Sequence, residues 1–193
     1  LKVKLTNEGD FLPAMSVGLH DFGGTGAFSS EYLVASKRFN NLDLTLGVGW
    51  GRFAGGTGGS IPGTQVSNPL SWLNEALASR AGPDAFAGQI VFNRFFGGSN
   101  AAIFGGIEYY TPIPNLSAKL EYDTSNYSYE TGENPPHTNI PTYMYRPGHI
   151  FRVDSRFNIA LNYQYTISKQ DKADFSVGMV RGNTLYANVS FHS

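Results

Sequence analysis

Apolar and polar residues alternate one by one along most of this chain, and that period of two is the signature of strands with one apolar and one polar face. Residues 42–51 place Leu42, Leu44, Leu46, Val48 and Trp50 against Asp43, Thr45, Gly47, Gly49 and Gly51. Residues 116–123, 157–166 and 184–192 repeat the pattern, with Phe157, Ile159, Leu161, Tyr163 and Tyr165 the clearest apolar row. Weaker versions occupy 13–22, 101–112 and 173–182, while 30–39 is strand-like with mixed faces, because Lys37 shares parity with Leu33 and Phe39. The predicted strands are about 9–12 residues long, and the one near 152–166 is longer. A tilted strand needs about 9–11 residues to cross a bilayer, whereas globular strands average about 5–6.

Composition fits that reading. Hydrophobic residues make up 41%, charged residues 15%, and the net charge is −1. A wall with one lipid-facing and one lumen-facing side has a mean hydropathy near zero, and here it is −0.22. No apolar run approaches the roughly 18 residues that a transmembrane helix requires. The balanced charge gives no footprint for nucleic acid, and the absence of Cys excludes disulfides and thiolate chemistry. The chain begins with Leu and shows no signal peptide, so it reads as a mature or excised segment. Trp50, Tyr109, Tyr110, Tyr122, Tyr163, Tyr165 and Phe191 sit near strand ends, as the aromatic girdles of a membrane barrel do. A soluble sandwich or lipocalin-like barrel also alternates, but strand length argues against it. The expected fold is therefore all-β: an antiparallel transmembrane β-barrel, or a segment of a larger one, spanning 1–193 with long outer loops.

The connections add a constraint. Asn40-Asn41, Pro112 to Asn115, Ser168 to Lys172 and Gly182-Asn183 predict short turns, and 52–100 and 128–150 predict long loops. Two long loops share a face only if an even number of strands lies between them, which puts 89–98 in the loop. Asn68 as cap, Pro69 in the first turn and Gly82 at the stop predict a short helix over 69–81, with Leu70, Leu73, Ala76 and Leu77 on one side. Strand pattern reaches almost to both ends, so either 13–22 pairs with 184–192 or the edges meet further strands; the second is expected.

No motif of catalysis emerges. Gly23-Gly24-Thr25-Gly26 and the Gly run at 55–59 lack the Lys-Ser/Thr ending of a phosphate loop and read as turns. The four His, at 20, 137, 149 and 192, show no metal-ligand spacing. Only His20 lies inside a strand. Ser16 on the same face is about 13 Å away at about 3.3 Å per residue, so a nucleophile would have to come from a neighbouring strand. No catalytic residue, metal or cofactor is expected. The candidate site is instead a set of polar residues facing the lumen: Asp43, Glu108, Lys119 and Glu121, and a second row of Arg152, Asp154, Arg156, Asn158, Asn162 and Gln164. Carboxylates, amides and guanidinium on one wall suit sugar hydroxyls, and they also suit plain water.

Several stretches resemble the YjbH family of exopolysaccharide-associated outer-membrane proteins. They are residues 12–26 (Leu12-Pro13-Ala14-Met15 through Gly23-Gly24-Thr25-Gly26), 28–39 (Phe28-Ser29-Ser30-Glu31-Tyr32 through Phe39) and 45–51. Phe104 to Tyr109, Lys119 to Asp123 and Arg181-Gly182-Asn183-Thr184 complete the match. The resemblance implies an outer-membrane barrel considerably longer than this chain, taking part in secretion or assembly of extracellular polysaccharide. Outer-membrane lipid, polysaccharide and other export proteins are the implied partners, and no catalytic residue set is carried over. The alternatives are an outer-membrane enzyme acting on lipid or polymer, and a structural barrel that anchors a partner. A closed eight-strand barrel would be filled by its own side chains and could not pass a polymer.

Overall fold

A computed structural model describes residues 1–21, 23, 29–54, 65–80, 90, 92–125, 154–168 and 170–192. They form one antiparallel sheet of ten strands. In chain order these are β1 (Lys2–Thr6), β2 (Ala14–His20), β3 (Ser30–Phe39), β4 (Leu42–Gly51), β5 (Gln65–Ser67), β6 (Asn100–Tyr110), β7 (Leu116–Tyr122), β8 (Phe157–Thr166), β9 (Lys172–Val180) and β10 (Thr184–His192). Each neighbours the next, except that β4 pairs directly with β6 and β5 lies beside the start of β6. Every strand predicted by alternation is present; β1 and β5 are additions. The segment 89–98 holds no strand among its described residues, as the loop-parity argument required.

The sheet is open. β2 pairs with β1 and not with β10, so 13–22 and 184–192 do not close on each other, and β1 and β10 stand at the two edges. All-β antiparallel architecture is thus seen, and barrel closure within this chain is not.

Two-residue register carries the faces across the sheet. Leu33, Val48 and Ile103 lie opposite one another in β3, β4 and β6, and Leu120, Ile159 and Met179 do so in β7, β8 and β9. These share the apolar face. Arg38, Asp43, Glu108 and Lys119 line up on the other. The ambiguous strand β3 is assigned by this register: Leu33, Ala35, Lys37 and Phe39 face the apolar side. Lys37 bends its ammonium to the carbonyls of Gly9 and Asp10, and Glu8 lies 3.7 Å away. That arrangement keeps the charge off the apolar surface, as a long basic stem allows.

Apart from its end at Glu31 and Trp50, which Asn68, Arg80 and Phe96 cover, the apolar face is largely exposed among the described residues. Leu46 is 64% exposed, Leu161 50% and Leu185 81%. Buried hydrophobic residues are confined, among the described residues, to Trp50, Ala54, Ala101, Ala102 and Ala173.

The connections at one end are 7–13, 40–41, 111–115 and 167–171, with Asn40 and Asn115 at φ 52° and 63° tightening two of them. Asn tolerates this left-handed backbone. The connections after β4 and β7 leave from the opposite end, with two strands between them, as predicted. The short turn at 181–183 lies at that same end, so the two ends are not sorted strictly by loop length. Its Arg181 and Gly182 both have positive φ, and the Asn183 N–H donates to the Val180 carbonyl, a type I′ turn. The loop 128–150 lies outside the described residues.

The predicted helix over 69–81 is replaced by two short 3-10 turns, Pro69–Trp72 and Glu75–Ala78. Asn68 does cap the first, accepting from the Leu70 N–H, but Asn74 caps a second start and breaks the run. The Gly82 stop lies outside the described residues.

Candidate functional site

On the polar face the strands bring charged residues from four separate segments into one row. Arg38 of β3, Asp43 of β4, Glu108 of β6 and Lys119 of β7 follow each other in register. Two carboxylates side by side repel, and this row flanks them with a cation at each end. Lys119 Nζ is 3.4 Å from Glu108, Ser117 donates to the other Glu108 oxygen at 2.7 Å, and Arg38 lies 4.1 Å above the Tyr110 ring. Tyr110 therefore belongs to the polar side, not to a lipid-facing girdle. The Lys119–Glu108 pair is partly exposed, so it contributes at most about 1 kcal/mol. Stability alone gives little reason for such a row.

A second row follows β8. Asn158 donates to Glu121 at 3.1 Å and accepts from the Arg181 N–H at 2.8 Å. Asn162 accepts from Ser176 at 2.5 Å, and its Nδ2 has no partner among the described residues. Gln164 donates to Asp174 at 2.9 Å and accepts from Lys172. The predicted row is thus present from Asn158 onward. Its earlier members leave it, because β8 starts at Phe157 and not near 152. Asp154 lies in the connection, where its N–H and that of Ser155 donate to the Arg181 carbonyl. Arg156 donates to the Ser125 carbonyl at 2.9 Å. Arg152 lies outside the described residues.

Near the end where the long connections leave, rings lie flat on glycines of the polar face. Tyr32 covers Gly18, Phe104 covers Gly47, Phe53 covers Gly49, and across the sheet Tyr186 covers Gly178. A Cβ at Gly47 would come within 2.3 Å of the Phe104 ring. Phe53 and Phe104 stack at 4.9 Å, with Tyr32 edge-on to both and His20 edge-on to Tyr32. Glycine on one strand and an aromatic directly opposite on the next is a sequence-legible pairing once register is known, but not before.

Two histidine contacts bear on catalysis. His20 Nδ1 is 3.3 Å from Ser30 Oγ, the neighbouring-strand serine that the distance argument demanded, and Ser30 is buried. His192 Nε2 is 2.8 Å from Asp174 and 3.5 Å from Ser190. A hydrolytic triad needs its carboxylate and its serine on opposite ring nitrogens; here both approach the same one.

The apolar face holds a site that alternation did not reveal. Glu31 shares parity with Leu33 and is fully buried. It takes two hydrogen bonds from Arg80 and one from the Phe96 N–H. Asn68, also buried, accepts from the Trp50 indole at 2.8 Å and donates to the carbonyls of Leu77, Phe96 and Gly98. Trp50, predicted as a girdle residue, is instead 3% exposed, beneath a strap formed by residues 65–80 and 92–99 of the connection between β4 and β6. A single acidic residue on an apolar parity was the available signal.

Residues 1–193 match the family model YjbH, described as exopolysaccharide biosynthesis protein YbjH. The chain is also 36% identical over 193 residues to "Uncharacterized lipoprotein YjbH" of Escherichia coli (strain K12). That match takes in 100% of this chain and 24% of the relative, so the chain spans about a quarter of that protein's length. No solved structure matches it.

Proposed function

The chain belongs to the YjbH family, and on that premise we propose that it is part of the wall of an outer-membrane β-barrel that takes part in secretion or assembly of extracellular polysaccharide. The observation that carries this reading is the division of one sheet into an exposed apolar face and a hydrogen-bonding polar face across successive strands. Lipid satisfies the first face. A hydroxyl-rich polymer satisfies the second, because the row Arg38–Asp43–Glu108–Lys119 and the amides Asn158, Asn162 and Gln164 offer donors and acceptors together. The edges β1 and β10 carry unpaired backbone groups that hydrocarbon does not tolerate, so further strands of the longer protein pair with them. The family name supplies the link to exopolysaccharide, and the relative's name, lipoprotein, agrees with membrane attachment. The wall binds and guides without turning its ligand over.

The test uses the full-length protein in its own bacterium. Glu108→Gln, Lys119→Met and Glu121→Gln are combined, the protein is quantified in the outer-membrane fraction, and released polysaccharide is measured as total sugar. The expected result is normal protein in the membrane with reduced polysaccharide. Unchanged polysaccharide removes the polar face from the process, and recovery of the protein in a soluble fraction rejects the barrel.

A further inference from the structure

We infer that two described stretches of the connection between β4 and β6, residues 65–80 and 92–99, form an interfacial membrane anchor whose Trp72, Leu73 and Phe92 sit at the boundary between lipid headgroups and acyl chains. The inference rests on the reading of the apolar face as lipid-facing and names a second, separate contact with the bilayer.

Three observations lead there. First, Trp72 is 93% exposed, Leu73 81% and Phe92 79%. Single exposed hydrophobics are ordinary, but here three large ones share one strap. Second, the strap is fixed to the apolar side of the sheet. Glu31 and Trp50, the residues it covers, carry the parity of Leu33 and Leu46, and Arg80, Phe96 and Asn68 hold it there. Glu31 facing hydrocarbon unpaired would carry a large desolvation cost; under the strap, the fork from Arg80 and the Phe96 N–H offset much of it. Third, the height is right. Leu46 lies midway along the apolar row Leu42 to Trp50, and Trp50 is four residues beyond it. That is about 13 Å along the strand at about 3.3 Å per residue, or about 10 Å along the bilayer normal at a barrel strand's tilt of about 40°, within a few ångströms of half of an apolar band about 25 Å tall. The strap thus lies where tryptophan concentrates in membrane proteins, at the interface. It supplies the aromatic edge that Trp50, buried beneath it, cannot.

The experiment reconstitutes the full-length protein in phosphatidylcholine vesicles brominated either close to the headgroup or near the acyl-chain ends. Subtracting the emission of a Trp72→Phe variant from that of the parent isolates Trp72. A second variant, Leu161→Trp, reports on the apolar face itself by the same subtraction. The expected result is loss of Trp72 emission with the shallow bromines and little loss with the deep ones, while the residue introduced at 161 loses emission with the deep bromines. Quenching at 161 with none at Trp72 overturns the anchor and leaves the barrel standing; the strap then faces water or a protein partner. Absence of quenching at both positions overturns the membrane reading as well.

Discussion

Glu31 and Arg80 lie 49 residues apart in sequence and meet in a two-pronged ion pair, at 2.7 and 2.8 Å, with the carboxylate fully buried. The pair joins the sheet to the strap, and Arg80 adds bonds to the Ser29 carbonyl and hydroxyl and to the Gly97 carbonyl. Planar guanidinium suits this fork, and lysine would not replace it.

Arg80→Met should therefore cost about 3–5 kcal/mol, the usual consequence of leaving one partner of a buried pair uncompensated. The double variant Glu31→Leu/Arg80→Met should recover most of that loss, because an apolar pair carries no buried charge. A double-mutant cycle on unfolding, with protease cleavage inside 65–99 as a local readout, measures both. Additive single losses would show that the two residues do not act together.

Asn68 is the second fastening. Asn68→Ala leaves the Trp50 indole and the carbonyls of Phe96 and Gly98 without their partner, while the Leu77 carbonyl keeps the Gly98 N–H, at about 1–3 kcal/mol for a buried group left unpaired. Emission from Trp50 should shift to the red as the strap loosens, with the sheet's circular dichroism unchanged. An unshifted spectrum would mean that the strap stays seated by Glu31 and Arg80 alone.

Leu46 tests the apolar face. Leu46→Arg should destabilise the protein in bilayers by about 2–4 kcal/mol if it lies near the midplane, whereas Asn188→Arg, exposed on the polar face, should change stability little. Denaturant titration in lipid vesicles compares them. Equal stability of the two variants would remove the lipid from that face.

Gly47→Ala should cost about 1–3 kcal/mol by overpacking, since the added carbon meets the Phe104 ring and that ring is already stacked on Phe53. Gly9→Ala, where nothing lies within 4 Å, serves as the control. Phe104→Leu in the Gly47→Ala background should relieve the strain, and thermal unfolding reads all three.

Eight of the ten strands, the faces of most of them and the antiparallel order were legible in the sequence, because a period of two is a local property; β1 and β5 were not, and β3 showed no clear face. Phe157 to Tyr165 and Leu42 to Val48 announced their faces without any partner in view. Even the exclusion of a strand at 89–98 followed from counting parity. What the sequence could not decide depended on contacts between distant segments. Lys37 looked misplaced until Gly9 and Asp10 came beside it, and Trp50 read as a girdle residue until Asn68 and Phe96 covered it. The 69–81 segment carried helix signals, but backbone carbonyls of Leu77, Phe96 and Gly98 converge on Asn68, and Arg80 must reach Glu31; two short turns meet those demands. Closure, too, is beyond local pattern: alternation says that a strand has two faces and says nothing about which strand lies at its edge.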